Sequence, residues 1–240
     1  MGNILADGHK ASSPSATATF VRFENRIFVV TCLHVKQIAF KGRGSTARLH
    51  AGRAVIELAH WTTKGVRVPS LRDVDRDTAI DVSLCELPVY LLELLSRDKV
   101  KRPIDLDNFT APDWPIIRYC LAAGFPDRAK SEDGAILTSP MVEAVAELAS
   151  KVDSASTSFV LQSKLKTAPK WTFSGMSGGP IFALGANTPQ PVGIIFEGYP
   201  SGEEANRPSD AFLCERDILI RGQMLTPDIF RSWLHAVELI

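Results

Sequence analysis

Short runs of apolar and β-branched residues, interrupted every few positions by Gly, Pro, Asp or Asn, recur along almost the whole chain. Residues 17–23 and 26–31 are two such runs on either side of Glu24-Asn25, an arrangement that predicts a β-hairpin with a two-residue polar turn. Further strands are expected at 54–58, 66–68 and 82–87, then at 116–122, 141–148, 158–165, 180–184 and 192–196. The 141–148 segment suits helix and strand about equally, because its Val, Glu and Ala residues fit either period. Two segments break the pattern. Residues 90–95, Tyr-Leu-Leu-Glu-Leu-Leu, read as a helix, and Thr226-Pro227-Asp228 opens an amphipathic run to Ile240 with Thr as N-cap and Pro at the first helical position. Many short strands separated by turn signals place the chain in the all-β class, as an antiparallel barrel or sandwich with a C-terminal α-helix.

The lapses in the pattern suggest boundaries. Residues 1–15, rich in Ala, Ser, Gly and Pro, read as a flexible N-terminal arm. Residues 16–98 form a first barrel, 99–113 a polar inter-barrel linker with few strand signals, 114–225 a second barrel and 226–240 the terminal helix. Lys plus Arg and Asp plus Glu balance at 27 each, so no global charge draws the chain to nucleic acid or to an anionic membrane. No apolar run approaches the ~18 residues that cross a bilayer. The first ten residues lack the basic start and apolar core of a secretory signal, so a cytoplasmic location is expected. Cys32, Cys85, Cys120 and Cys214 are far apart and lie in apolar segments, unlike a disulfide framework or a zinc site. They read as buried thiols in a reducing compartment, with no metal or cofactor expected.

The candidate chemistry centres on Gly175-Met176-Ser177-Gly178-Gly179-Pro180. A serine hydroxyl is a weak nucleophile that needs a base to take its proton and fixed donors to hold the developing oxyanion. The flanking glycines allow the amides of Gly175 and Ser177 to face one small cavity. His34 follows the strand-like Val29-Val30-Thr31 run, and Asp81 opens the apolar alternation Asp81-Val82-Ser83-Leu84-Cys85-Glu86-Leu87. The neighbouring Asp73, Asp75 and Asp77 read as a solvated acidic turn, and His9, His50, His60 and His235 lack the context of His34.

These three motifs, in the order His, Asp, Ser, resemble those of chymotrypsin-like serine peptidases. The resemblance runs from about Thr17 to the terminal helix. Ala122-Ala123-Gly124-Phe125-Pro126 brings it closer to bacterial trypsin-like and HtrA-like peptidases, although no PDZ-like region is present. It implies two antiparallel six-stranded β-barrels and a serine endopeptidase with His34, Asp81 and Ser177 as triad and Gly175 and Ser177 as oxyanion donors. By position it implies Trp171, Phe196, Glu197 and Gly198 as substrate-binding residues, the last three on a strand like the family's specificity-pocket strand. A protein or peptide is the implied partner. The sequence departs from secreted members at Val35, where they carry a disulfide-bonded cysteine. It also departs at Met176, where zymogens carry the aspartate that pairs with a newly cut N-terminus. Control is therefore expected from elsewhere, such as a regulatory partner protein. Two other readings remain open: a non-catalytic binding module on the same fold, and an α/β-hydrolase using the G-x-S-x-G elbow with Asp210 or Asp217 and His235.

Overall fold

The computed structural model describes residues 1–5, 14–39, 46–51, 54–59, 69–74, 80–88, 91, 102–134, 136–150, 152, 155–164, 174–185, 188–196, 213–214 and 217–240. The first half builds β1 (Gly2–Leu5), β2 (Ser15–Phe23), β3 (Arg26–Thr31), the short helix α1 (Leu33–Ala39), β4 (Thr46–Ala51), β5 (Ala54–Ala59), β6 (Arg72–Asp73), β7 (Ser83–Glu86) and β8 (Ile104–Asp105). The second half builds β9 (Tyr119–Gly124), the hairpin β10 (Ser131–Asp133) and β11 (Ile136–Thr138), β12 (Val142–Leu148), β13 (Ser158–Lys164), β14 (Pro180–Leu184), β15 (Gln190–Phe196), β16 (Leu213–Cys214) and β17 (Asp217–Met224). Helix α2 (Pro227–Ala236) follows. The first sheet runs β5-β4-β1-β2-β3-β7-β6, with β8 added parallel to β2. The second runs β13-β12-β9-β14-β15-β17 and closes into a six-stranded barrel because β13 also pairs with β17. The whole matches a chymotrypsin-like double barrel in which, among the described residues, the second barrel is closed and the first sheet, expected as six antiparallel strands, is an eight-stranded half-barrel.

The predicted hairpin is present as β2 and β3, and Glu24 and Asn25 carry the positive φ angles of 51° and 57° that its tight turn needs. The ambiguous 141–148 run is a strand: alternate residues Ala144 and Ala146 point into the second core while Glu143, Val145 and Glu147 are exposed. The predicted strand at 66–68 and most of the helix at 90–95 lie outside the described residues.

Two segments differ from the sequence-based boundaries. Gly2–Leu5 is not an arm. It is a strand paired with β2 on one side and β4 on the other; Ile4 enters the first core and Leu5 is buried as well. Within the expected linker, Ile104 and Leu106 are likewise buried, and Ile104–Asp105 extends the first sheet. Short apolar pairs set among polar residues are too brief to register as periodicity.

Strands β2 and β3 are buried on both faces. Ala16, Ala18, Phe20, Ile27 and Val29 line the core of the first barrel, whereas Val21, Phe23, Phe28 and Val30 enter a second cluster. That cluster is completed by Phe230, Trp233 and Leu234 of α2 and by Ile194 of β15. Thr226 caps α2 by accepting a hydrogen bond from the Ile229 amide at 3.3 Å, and Pro227 opens it. At its other end, Arg26 donates to the Leu239 carbonyl and Arg72 to the Val237 carbonyl, at 3.1 and 2.7 Å. The terminal helix is thereby fastened to the first sheet by apolar contact and by capping.

Phe230 meets Phe23, Phe28 and Trp233 edge to face, with ring centroids 5.5, 5.3 and 5.9 Å apart. Phe230→Ala is expected to lower stability by about 3–5 kcal/mol, measured by denaturant unfolding. Burial, reinforced by nearby Glu86, pushes the Cys85 thiol up to about 12, and burial pushes Cys120 up to about 11. Both therefore remain protonated at pH 8, where an aromatic disulfide reagent should leave them unmodified in the native protein and react only after denaturation, as read by mass spectrometry.

Candidate active site

The outer face of β2 forms the seam between the barrels. Its odd-numbered residues point at the Gly175–Pro180 loop: Thr17 donates its hydroxyl to the Gly175 carbonyl at 2.9 Å, and Thr19 donates to the Gly178 carbonyl at 2.8 Å. The Thr17 amide donates to the Ser177 carbonyl at 3.1 Å, and the Phe125 amide donates to the Thr17 hydroxyl at 2.9 Å. From the other side, β15 brackets the loop. The Gly178 amide donates to the Ile195 carbonyl and the Ile195 amide to the Gly179 carbonyl, at 2.8 and 2.7 Å.

This path requires left-handed backbone at Gly175, with φ of 94°, and at Gly178, with φ of 86°. At both positions a β-carbon would also collide with neighbouring backbone. The Met176 carbonyl accepts from the Gly179 amide at 2.8 Å, and the Ser174 carbonyl accepts from the Asp127 amide at 2.7 Å. A trans peptide holds its C=O and N–H in one plane pointing in opposite directions. Pinning those two carbonyls therefore fixes the direction of the amides that follow them, Ser177 and Gly175. Among the described residues neither amide has an acceptor. A pair of oriented, unspent donors is what a developing oxyanion requires.

His34 lies on α1, at the end of β3. Both its main chain and its ring bind Asp81: the amide donates to one carboxylate oxygen at 3.0 Å, and Nδ1 lies 2.5 Å from the other. Two contacts to one carboxylate leave the imidazole little freedom to rotate. Helix α1 is itself anchored two residues on, where Lys36 Nζ lies 2.8 Å from Asp73 and Ser83 donates its hydroxyl to the same carboxylate at 2.7 Å. Asp73 is thus part of this support and not a solvated turn residue. Its Lys36 partner is only 7% exposed, so the pair has little water to fall back on.

His34, Val35, Gly175 and Ser177 line a cleft of about 50 Å³ together with Ile4, Ser15, Ala16, Asp127 and Ser174. Ser177 is 2% exposed, and among the described residues its hydroxyl makes no hydrogen bond. One donor atom from each of Cys32, His34 and Asp81 lies within 4.8 Å of the others. Within this group His34 Nδ1 and the Asp81 carboxylate lie at hydrogen-bonding distance from each other.

Of the residues expected to bind substrate, Phe196 is 8% exposed and belongs to the first-barrel core cluster that contains Cys32 and Val35. Trp171, Glu197 and Gly198 lie outside the described residues. His235 sits in the last turn of α2, and Pro180–Leu184 after the serine is a strand, not the helix of an elbow. Together with the double barrel, this removes the α/β-hydrolase reading; Asp210, one of its two candidate acids, lies outside the described residues. Sequence reasoning passed over Thr17, Thr19, Ser15 and Asp127. The one available signal was the Thr-Ala-Thr alternation of β2, which places hydroxyls on a strand face.

The fold, two β halves with a cleft between them and a C-terminal helix, is of the chymotrypsin-like kind. Across its full length the chain is similar to the thermostable serine protease AL20 from an extremophilic microorganism, with a TM-score of 0.53, 13% identity and 97% of that chain covered. It is also similar to the protease Anisep from Arthrobacter nicotinovorans, with a TM-score of 0.52 and 13% identity over 99% of this chain and 94% of that one. No protein-family model and no curated protein matches the sequence.

Replacing Thr17 by Val removes the hydroxyl that both donates to Gly175 and accepts from Phe125. The variant is expected to lose about 2 kcal/mol or more in urea unfolding, with Thr17→Ser losing clearly less.

Proposed function

We propose that the protein is a trypsin-like serine endopeptidase that hydrolyses peptide bonds through an acyl-enzyme on Ser177. The observation that carries this reading is the doubly bound His34–Asp81 pair sharing one cleft with Ser177 and with the two unspent amides of Gly175 and Ser177. In this mechanism Ser177 attacks the substrate carbonyl while His34 accepts its proton. The oxyanion forms against the Gly175 and Ser177 amides, and His34 returns the proton to the leaving amine. Asp81 holds the imidazole in the tautomer that leaves its other nitrogen available, and stabilises the imidazolium. Water then repeats the sequence on the ester. No cofactor takes part. Trp171, Phe196, Glu197 and Gly198 are the proposed substrate-binding residues, by their positions in the sequence.

Met176 bears on control. It is 1% exposed and belongs to the core cluster of the second barrel, so activation through a cut N-terminus has no carboxylate to pair with there. Restraint, in this reading, comes from a regulatory partner or from access to the cleft. A cytoplasmic setting agrees with the burial of Cys32, Cys85 and Cys120, none of which is bridged among the described residues.

The test is labelling by a fluorophosphonate. The wild type is expected to label, Ser177→Ala to fail, and His34→Ala and Asp81→Asn to label about 10²- to 10⁴-fold more slowly, while His235→Ala behaves as wild type. A folded wild type that does not label would replace this reading with a binding module on a protease fold.

A further inference from the structure

We propose that Asp127 is the positioning residue of the oxyanion loop, acting through the Ser174–Gly175 peptide. The inference rests on Ser177 being the nucleophile. Gly175 has no β-carbon to bias its backbone, so the direction of its amide must be imposed by its surroundings. The bond from the Asp127 amide to the Ser174 carbonyl imposes it, since the Gly175 N–H leaves the same planar peptide in the opposite direction. The steadiness of that donor amide depends on how firmly Asp127 is held.

Asp127 is held by its carboxylate, which gathers donors from three parts of the chain. One oxygen accepts from both the amide and the hydroxyl of Ser15, each at 2.6 Å, and lies 3.1 Å from Lys130 Nζ. The other accepts from the Ser174 hydroxyl at 3.3 Å. The Lys130 side chain is 1% exposed, and hydrogen bonds to a charged group are the strong ones. Ser15 opens β2 and pairs with Leu5 of β1, so its position is set by the first sheet. Two of the donors that hold the loop's anchoring carboxylate therefore come from across the cleft, both from Ser15, while the residue beside the serine, Met176, is apolar. The partner that a zymogen obtains from a new N-terminus is supplied here by an internal serine.

Asp127→Asn keeps the shape but turns an acceptor toward donors into a partial donor. With p-nitrophenyl acetate its kcat is expected to fall about 10- to 100-fold with KM within about twofold, short of the ~10²- to 10³-fold cost of losing an oxyanion donor outright. The affinity for phenylboronic acid, whose tetrahedral adduct places an oxygen in the same cavity, should fall in parallel with kcat. Ser15→Ala, which removes one of the four contacts, should show the same pattern with a smaller loss. If Asp127→Asn fails to fold, as judged by its thermal transition, Ser15→Ala decides. A wild type that labels at Ser177, together with a folded variant whose kcat and boronate affinity match the wild type, overturns the role of Asp127 and leaves the peptidase reading standing. A folded wild type that does not label removes both.

Discussion

The serine loop's side of the cleft depends on one strand face. The odd positions of β2 run along the seam between the barrels as Ser15, Thr17 and Thr19 and then continue as Val21 and Phe23 into the cluster under the terminal helix. The even positions, Ala16, Ala18 and Phe20, belong to the first core. Period-two alternation usually separates core from solvent; here it separates one core from a second body of protein. Hydroxyls suit the upper part of that face because the facing loop offers carbonyls and amides that would be costly to bury without partners.

The two halves of the candidate site are supported differently. On the first sheet, side chains do the holding: Asp81 grips His34, and Lys36 with Asp73 and Ser83 steadies the helix that carries it. On the second barrel the main chain does it, through carbonyls turned outward so that amides turn inward. In the proposed mechanism His34 is a base that must be kept from rotating, which charged partners achieve. The amides of Gly175 and Ser177 are its proposed oxyanion donors, and backbone geometry aims them without adding competing acceptors.

Much of this was legible in the sequence. The β2–β3 hairpin showed itself by composition and turn and α2 by its cap and proline; motif and order singled out His34, Asp81 and Ser177, which the fold brings to one cleft while their roles rest on the proposal. What escaped notice did so for definable reasons. Strand β1 is four residues long, and β8 is two, so neither displays a period. Asp73 stands in a run of aspartates, and only tertiary structure brings Lys36 to it. Asp127 sits after a glycine-proline turn, where an acidic residue ordinarily signals nothing more than a bend; its donors come from residues 15, 130 and 174.

The pinned peptides also bear on how much the surrounding sequence can vary. Donors that are backbone nitrogens ask little of the side chains around them beyond room for two glycines. Neighbouring residues can then differ in kind, as the apolar Met176 illustrates, while the path of the chain is kept. A likeness in fold at 13% identity, on a sequence that matches no family model, is compatible with a loop specified by trajectory and not by spelling.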